Sequence, residues 1–473
     1  MRRVFLVIAA GVLAASAARA DIDAPTRQLA HDIFKQLIEI NTADSAGSVT
    51  AASLAMAQRF RDAGFPESDI HILGATDRTQ NLVVRLHGTG KRKPVLVIGH
   101  LDVVEARRED WHTDPYQFIE QDGFYYGRGT QDMKNADTAA VVTLIRMKKE
   151  GYRPDRDIIL ALTAGEESGL NNGVEWLVQN HRELIDAEFA INQDDFGVYT
   201  AHGKALRVQI MASEKTYADF QLAVTSPGGH SSIPVPDNAI HHLAIGLDRL
   251  ARYEFPFELS DVTRAYYSKQ IAVTTPDRAA DIKAMLQTPP QPAAIARLSQ
   301  DRMDHAQTHT TCVATRLEGG HANNALPQMA RAIVNCRILP GHTAEATRQT
   351  LIDVLADPSI VVRYIDSDGI VHDTAESKHA LVTPALRADV VKSVEKVAGE
   401  MWPGTPVIPT MGVGATDAVY VSGLGIATYL VSGQAIESDD DRTHGQDERV
   451  GIEPFYRSVD FFYRFLKTLL AQP

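Results

Sequence analysis

Between residues 24 and 200 the chain repeats one alternation: a short run of branched apolar residues, then a longer segment with apolar residues at helical spacing. "NLVVRLHG", "PVLVIGHLD", "DIILALTAG" and "EFAINQD" read as strands. "TRQLAHDIFKQLIEI", "TAASLAMAQRFRDAG", "DTAAVVTLIRMKKEG" and "GVEWLVQNHREL" read as helices, the second closed by Gly64. Few folds tolerate this pattern. It implies an α/β domain with helices on both faces of a mixed sheet.

Near residue 212 the pattern changes. "YADFQLAVTSPGGHSS" is a strand ending in Pro-Gly-Gly, "NAIHHLAIGLDRLARY" a helix, and "TCVATRLEGG" with "MARAIVNCRILP" a pair of strands. "TAEATRQTLIDVLAD" and "IVVRYID" add a helix and a strand. A βαββαβ order predicts a small α+β domain inserted in the first. The expected division is residues 21–211 and 368–473 for the α/β domain and 212–367 for the insert. Residues 256–310, with "TPPQPAA", elaborate the insert and carry no assigned role.

The first twenty residues, "MRRVFLVIAAGVLAASAARA", have a basic start, an apolar run and a small-x-small end at Ala18-Arg19-Ala20. They predict a secretory signal peptide cleaved before Asp21, with an uncleaved anchor as the second reading. The Ala-rich signal points to an exported protein, periplasmic in a bacterium or secreted. Cleavage removes three arginines and no acids, taking the formal charge from −13 to −16. So acidic a chain is ill suited to nucleic acid or, once cleaved, to an anionic membrane.

Several strand ends carry groups that bind metals. "VLVIGHLD" ends in His100 and Asp102, and "YYGRGTQDMKN" places Asp132 after a Gly-Arg-Gly turn as a helix begins. "TAGEESG" gives Glu166 and Glu167, "AINQDDFG" gives Asp194 and Asp195, and "DDDRTHGQDE" gives His444. Taken singly, a histidine at a strand end is a satisfied structural group, an Asp after a glycine turn is a helix cap, and a Glu-Glu pair is a solvated loop. In an open α/β sheet, however, ligands bind beyond the carboxyl ends of the strands, and these residues share that rim. Imidazole with carboxylate suits zinc, and two such ions about 3.5–4 Å apart can act together on a carbonyl and a water.

"GHLDVV", "W..DPY", "DGFYYGRGTQDMKN", "TAGEESG", "SPGGHSS", "NNALP", "TDA" and "HGQDE", in this order, resemble the dizinc metallopeptidase family of glutamate carboxypeptidase, aminoacylase, carnosinase and succinyl-diaminopimelate desuccinylase. The resemblance spans nearly the whole mature chain. It implies a zinc-peptidase-like catalytic domain interrupted by a lid, and hydrolysis of an amide in a small peptide or N-acyl amino acid.

Residue by residue, the resemblance implies two Zn2+ per chain (Co2+ or Mn2+ as alternatives) held by His100, Asp132, Glu167, Asp194 and His444. Asp132 bridges, His100 and Asp194 complete one site, and Glu167 and His444 the other. Asp102 receives the other ring N–H of His100, and Glu166 is the general base. Two acids stand where the family has one, so Asp195 is the alternative to Asp194; Asn135 replaces a common glycine. From the lid, His230 donates to the oxyanion, often across a homodimer, while Asn324 and Arg337 grip the carbonyl and terminal carboxylate. Gly414, Thr416 and Asp417 shape the pocket floor.

Two competing functions are a dizinc phosphoesterase and a binding protein that has lost its chemistry; the latter predicts a missing base or ligand, and none is missing. His305 and His309, at i, i+4 spacing, read as exposed and not as a metal site. Cys312 and Cys336 face each other if their strands form a hairpin near Asn324, and are either disulfide-bonded or buried free thiols.

Overall fold

The computed structural model describes residues 22–367, 369–376, 385–437 and 439–471; the segment read as a signal peptide lies outside the described residues. Among the described residues no helix is long and apolar enough to cross a membrane.

The apolar runs form the centre of a ten-stranded mixed sheet. Val95–His100 lies between Ile158–Thr163 and Phe189–Asn192 and is parallel to both. All three strands are buried along their whole length, as strands covered on both faces must be. Their carboxyl ends therefore stop side by side, with His100 opposite Thr163 and Ile98 opposite Asn192.

One face of the sheet is covered by the helices Ala24–Glu39, Val49–Asp62, Lys134–Lys149, Ala388–Met401 and Ile452–Leu470, which share one core. Lys134–Lys149 is buried almost all round because it packs on the sheet and also touches the first and last of these helices. Its run of Ala, Thr and Val permits that close approach. Gly173–Asn180 and Ala418–Ser422 cover the opposite face with a smaller core.

A second, antiparallel sheet has the order Thr311–Gly319, Met329–Ile338, Thr216–Thr225, Val361–Ile365, Val371–His372. Alternate residues of Met329–Ile338 are buried, and the helices Ala239–Arg252 and Ala344–Leu355 close the core on that side. This is the inserted α+β fold, in βαββαβ order. Cys312 stands opposite Cys336 across the first strand pair, and the two form a disulfide.

Three features go beyond the sequence reading or differ from it. Lys204–Glu214 is an eleven-residue strand of the large sheet that continues through Lys215 into Thr216–Thr225 of the second sheet. It pairs in parallel with Val407–Gly412, a segment that returns only after the insert. Residues 256–310 hold four helices, Asp261–Gln270, Pro276–Met285, Pro292–Leu298 and Arg302–Thr308, around a core of Tyr267, Ile282, Met285 and Leu298. The first of them packs on Val407–Gly412, tying the insert to the large sheet. His309, expected at the surface, is 4% exposed: its ring stacks on His305 with centroids 4.4 Å apart and meets Phe257 edge-on. Aromatic packing explains this pair.

Candidate metal centre

The strand ends and two loops bring His100, Asp132, Glu166, Glu167, Asp194 and His444 to one rim of the large sheet. Nε2 of His100 lies 3.1 Å from Oδ1 of Asp132 and 3.9 Å from Oδ1 of Asp194. Nε2 of His444 lies 3.1 Å from the other oxygen of Asp132, Oδ2, and 3.1 Å from Glu167. One carboxylate thus presents one oxygen to each histidine. Ligand atoms of His100, Glu166 and Asp194 lie within 4.8 Å of one another, as do those of His100, Asp132 and Glu167.

Local structure explains each placement. Gly129, in the turn before Asp132, has φ +92°, and a Cβ there would meet the Lys134 side chain at 2.9 Å. Asp132 does not cap the helix that follows; the N-cap position is Met133, with no side-chain cap bond. Gly165 has φ +75°, and a Cβ there would meet the Leu170 carbonyl at 2.5 Å, so only glycine lets the chain turn into Glu166.

The expected partner of His100 differs in detail. Its Nδ1 lies 3.0 Å from the backbone oxygen of Asp102, which fixes Nδ1 as a donor and turns Nε2 toward the cluster. The Asp102 carboxylate, 3.7 Å from that ring, instead accepts the backbone N–H groups of Glu166 at 3.3 Å and Glu167 at 3.0 Å. Asp194 faces His100, whereas Asp195 turns away and accepts from Gln209 Nε2 at 2.6 Å.

Burial makes these charges act on one another directly. Burial opposes a charged His100 ring, yet Asp132, Asp194 and Glu166 hold its pKa well above the usual value. Asp132 is raised by burial, but His100 and His444 outweigh this and bring it below the ordinary carboxylate range. Burial, reinforced by Asp132 and opposed by His100, pushes Asp194 up to about 8. Burial and then Asp194 drive Glu166 well above its normal value. Hydrogen bonds to Asp132 and Glu167 raise His444 to about 10.

The other expected residues fall into two groups. Thr416 borders the cluster: its hydroxyl accepts from Asn192 Nδ2 at 3.2 Å, and its N–H donates to Glu214 at 2.9 Å. Asp417 is buried behind it and accepts from Thr163 Oγ1 at 3.1 Å and Asn172 Nδ2 at 2.6 Å. Gly414 is exposed in the turn after Val407–Gly412.

His230 and Asn324 sit together on a short two-stranded ribbon, where His230 pairs with Ala325 and the Ser231 N–H donates to the Asn324 oxygen at 3.1 Å. Arg337 is half-buried, with its guanidinium 4.6 Å from the Tyr217 ring centroid. Among the described residues no hydrogen bond or ion pair joins His230, Asn324 or Arg337 to the cluster. The backbone N–H of Ser232 donates to His230 Nδ1 at 3.1 Å, so the ring proton belongs on the exposed Nε2.

Sequence reasoning missed Glu448. It is fully buried and binds the turn that carries Asp132. Its signal was its place four residues after His444 in "HGQDE".

Residues 96–468 match the model of peptidase family M20/M25/M40. The human N-fatty-acyl-amino acid synthase/hydrolase PM20D1 is 26% identical over 380 residues, covering 79% of this chain and 74% of that relative. Among solved structures, the M20 family metallo-carboxypeptidase Sso-CP2 from Sulfolobus solfataricus has a TM-score of 0.69 at 16% identity, covering 94% of this chain and 100% of its own. Human carnosine dipeptidase 1 gives 0.60 at 15% identity, covering 95% and 98%. At these identities the structural likenesses establish a shared fold.

Proposed function

The chain belongs to peptidase family M20/M25/M40, and from that premise we propose that it is an exported two-zinc hydrolase of amide bonds in small peptides or N-acyl amino acids. The observation that carries this reading is the Asp132 carboxylate, with one oxygen 3.1 Å from each of His100 and His444. The donor set suits the metal: two imidazole nitrogens and a surplus of carboxylates, several with pKa values raised by burial together, are what divalent zinc neutralises. His100, Asp132 and Asp194 would hold one ion, and Asp132, Glu167 and His444 the other. Co2+ or Mn2+ would fit the same donors. Such ions supply Lewis-acid polarisation of a carbonyl and lower the pKa of a water.

The chain's own residues do the rest. Asp102 fixes the backbone of the Glu166–Glu167 turn, so both carboxylates keep their headings. Glu166 takes the proton from the attacking water and delivers it to the departing nitrogen. His230 offers its Nε2–H to the developing oxyanion from the lid, and Arg337 with Asn324 receives the substrate's carboxylate and carbonyl. Asn324, His230 and Arg337 reach the cluster on closure of the lid. Gly414 and Thr416 line the floor, and Asp417 supports it from behind.

Family membership favours amides over phosphoesters, and no expected ligand or base is missing. The names of the relatives support three substrate types: N-fatty-acyl amino acids, C-terminal peptide bonds and dipeptides. The disulfide fits an oxidising compartment, as the N-terminal segment does. The outer edge of Thr311–Gly319, with Val313 and Leu317 exposed, fits pairing with a second copy through the lid. The test is a hydrolysis panel of dipeptides and N-acyl amino acids, with phosphate monoesters and diesters as controls, on zinc-loaded protein. Turnover of phosphoesters without amides would overturn the reading.

A further inference from the structure

The Glu448 side chain, 0% exposed, gathers four donors. Its Oε2 accepts from Arg128 Nη1 at 2.6 Å and from the Gly129 N–H at 3.0 Å. Its Oε1 accepts from the backbone N–H groups of Gln131 at 2.5 Å and Asp132 at 3.1 Å. Three backbone amides of one turn thus converge on a single carboxylate, which fixes the curvature of the turn and the heading of Asp132.

Glu448 also belongs to the loop that carries His444, and the two loops are tied elsewhere. Arg128 Nη2 donates to the Gly445 oxygen at 3.0 Å, and the Arg442 N–H donates to Gln131 Oε1 at 2.9 Å. Neutralising Arg128 alone would leave the three amide contacts unexplained, since that pair uses one guanidinium nitrogen. An amide in place of the carboxylate would turn an N–H2 toward N–H donors.

We propose that Glu448 is a positioning residue for the metal centre: it holds the Asp132 turn against the His444 loop, so that both side chains reach the same ion without rearrangement. This rests on the two-metal reading above.

The test is metal binding without substrate: chelator-stripped protein is titrated with Zn2+ by calorimetry and with Co2+ by visible absorption. Glu448→Gln is expected to lose about 10–100-fold in affinity, most at the ion that Asp132 shares with His444, and to shift the Co2+ band. Arg156→Gln breaks a part-buried ion pair to Glu188 (2.9 Å), just before the Ile158–Thr163 strand and away from its site end. It is expected to lose thermal stability yet bind both ions as wild type does. Should Glu448→Gln fail to fold, Glu448→Asp keeps the charge beside Arg128 but falls one methylene short of the amides, and the same loss is expected. Wild-type affinity in a folded Glu448 variant, or an equal loss in Arg156→Gln, overturns the positioning role. A wild-type protein that takes up no second equivalent overturns the two-metal reading instead.

Discussion

The carboxylate of Asp102 accepts the backbone N–H of Glu167 at 3.0 Å, so a residue just beyond one strand fixes the turn that follows its neighbour. Glu166 is held the same way at 3.3 Å. The doubled acid therefore enters the cluster on a braced backbone.

Removing that brace should disturb turnover more than folding. Asp102→Ala is expected to lower kcat about 10–100-fold, with both metals retained and the circular dichroism spectrum unchanged. An unaltered kcat would show that the turn keeps its shape without the carboxylate.

Glu166 is expected to act on protons and not to hold a metal. Glu166→Ala should retain full metal content while kcat falls about 10²–10⁴-fold, the usual contribution of a general base. Loss of one ion in this variant would make Glu166 a ligand, a role its distance from His100 and Asp194 makes worth checking.

For His230, the Nε2–H left free by the Ser232 contact is the group of interest. His230→Ala should cost about 10²–10³-fold in kcat, the effect of losing an oxyanion donor, at unchanged metal content. Mixing it with Glu166→Ala under subunit exchange tests whether the donor crosses a dimer: partial recovery is expected, and a demonstrably exchanged mixture without recovery means that it acts within its own chain.

The disulfide has a direct chemical readout. Denatured, unreduced protein should show no titratable thiol, because Cys312 and Cys336 are bonded to each other. Cys312→Ser should lower stability by about 2–4 kcal/mol through the freed unfolded chain. Two thiols per chain in the denatured, unreduced sample would contradict the bond.

The meeting of His100, Glu166, Glu167 and Asp194 was legible because parallel strands must end on one rim, and the apolar runs mark those ends. Asp132 and His444 come from loops, whose paths periodicity does not encode; the glycine turn and the acidic run marked them as candidates, and the family resemblance implied their roles. Glu448 stayed hidden because it acts on backbone N–H groups, which every non-proline residue carries and no motif displays. Asp102 was expected to meet His100 through its carboxylate, yet its carbonyl does so, a distinction that side-chain identity cannot carry. Lys204–Glu214 escaped notice because one of its partners, Val407–Gly412, lies beyond the insert. His309 was misjudged because i, i+4 histidines look solvated until an aromatic neighbour such as Phe257 is known.

In the proposed function, amide hydrolysis requires two metal ions on these residues. The most direct measurement follows hydrolysis of a dipeptide or N-acyl amino acid while Zn2+ is added stepwise to chelator-stripped protein. The stripped protein should show no turnover, and activity should rise to a plateau as the second equivalent binds. Full hydrolysis by metal-free protein, or a plateau reached with no metal bound at His100 and His444, would contradict it.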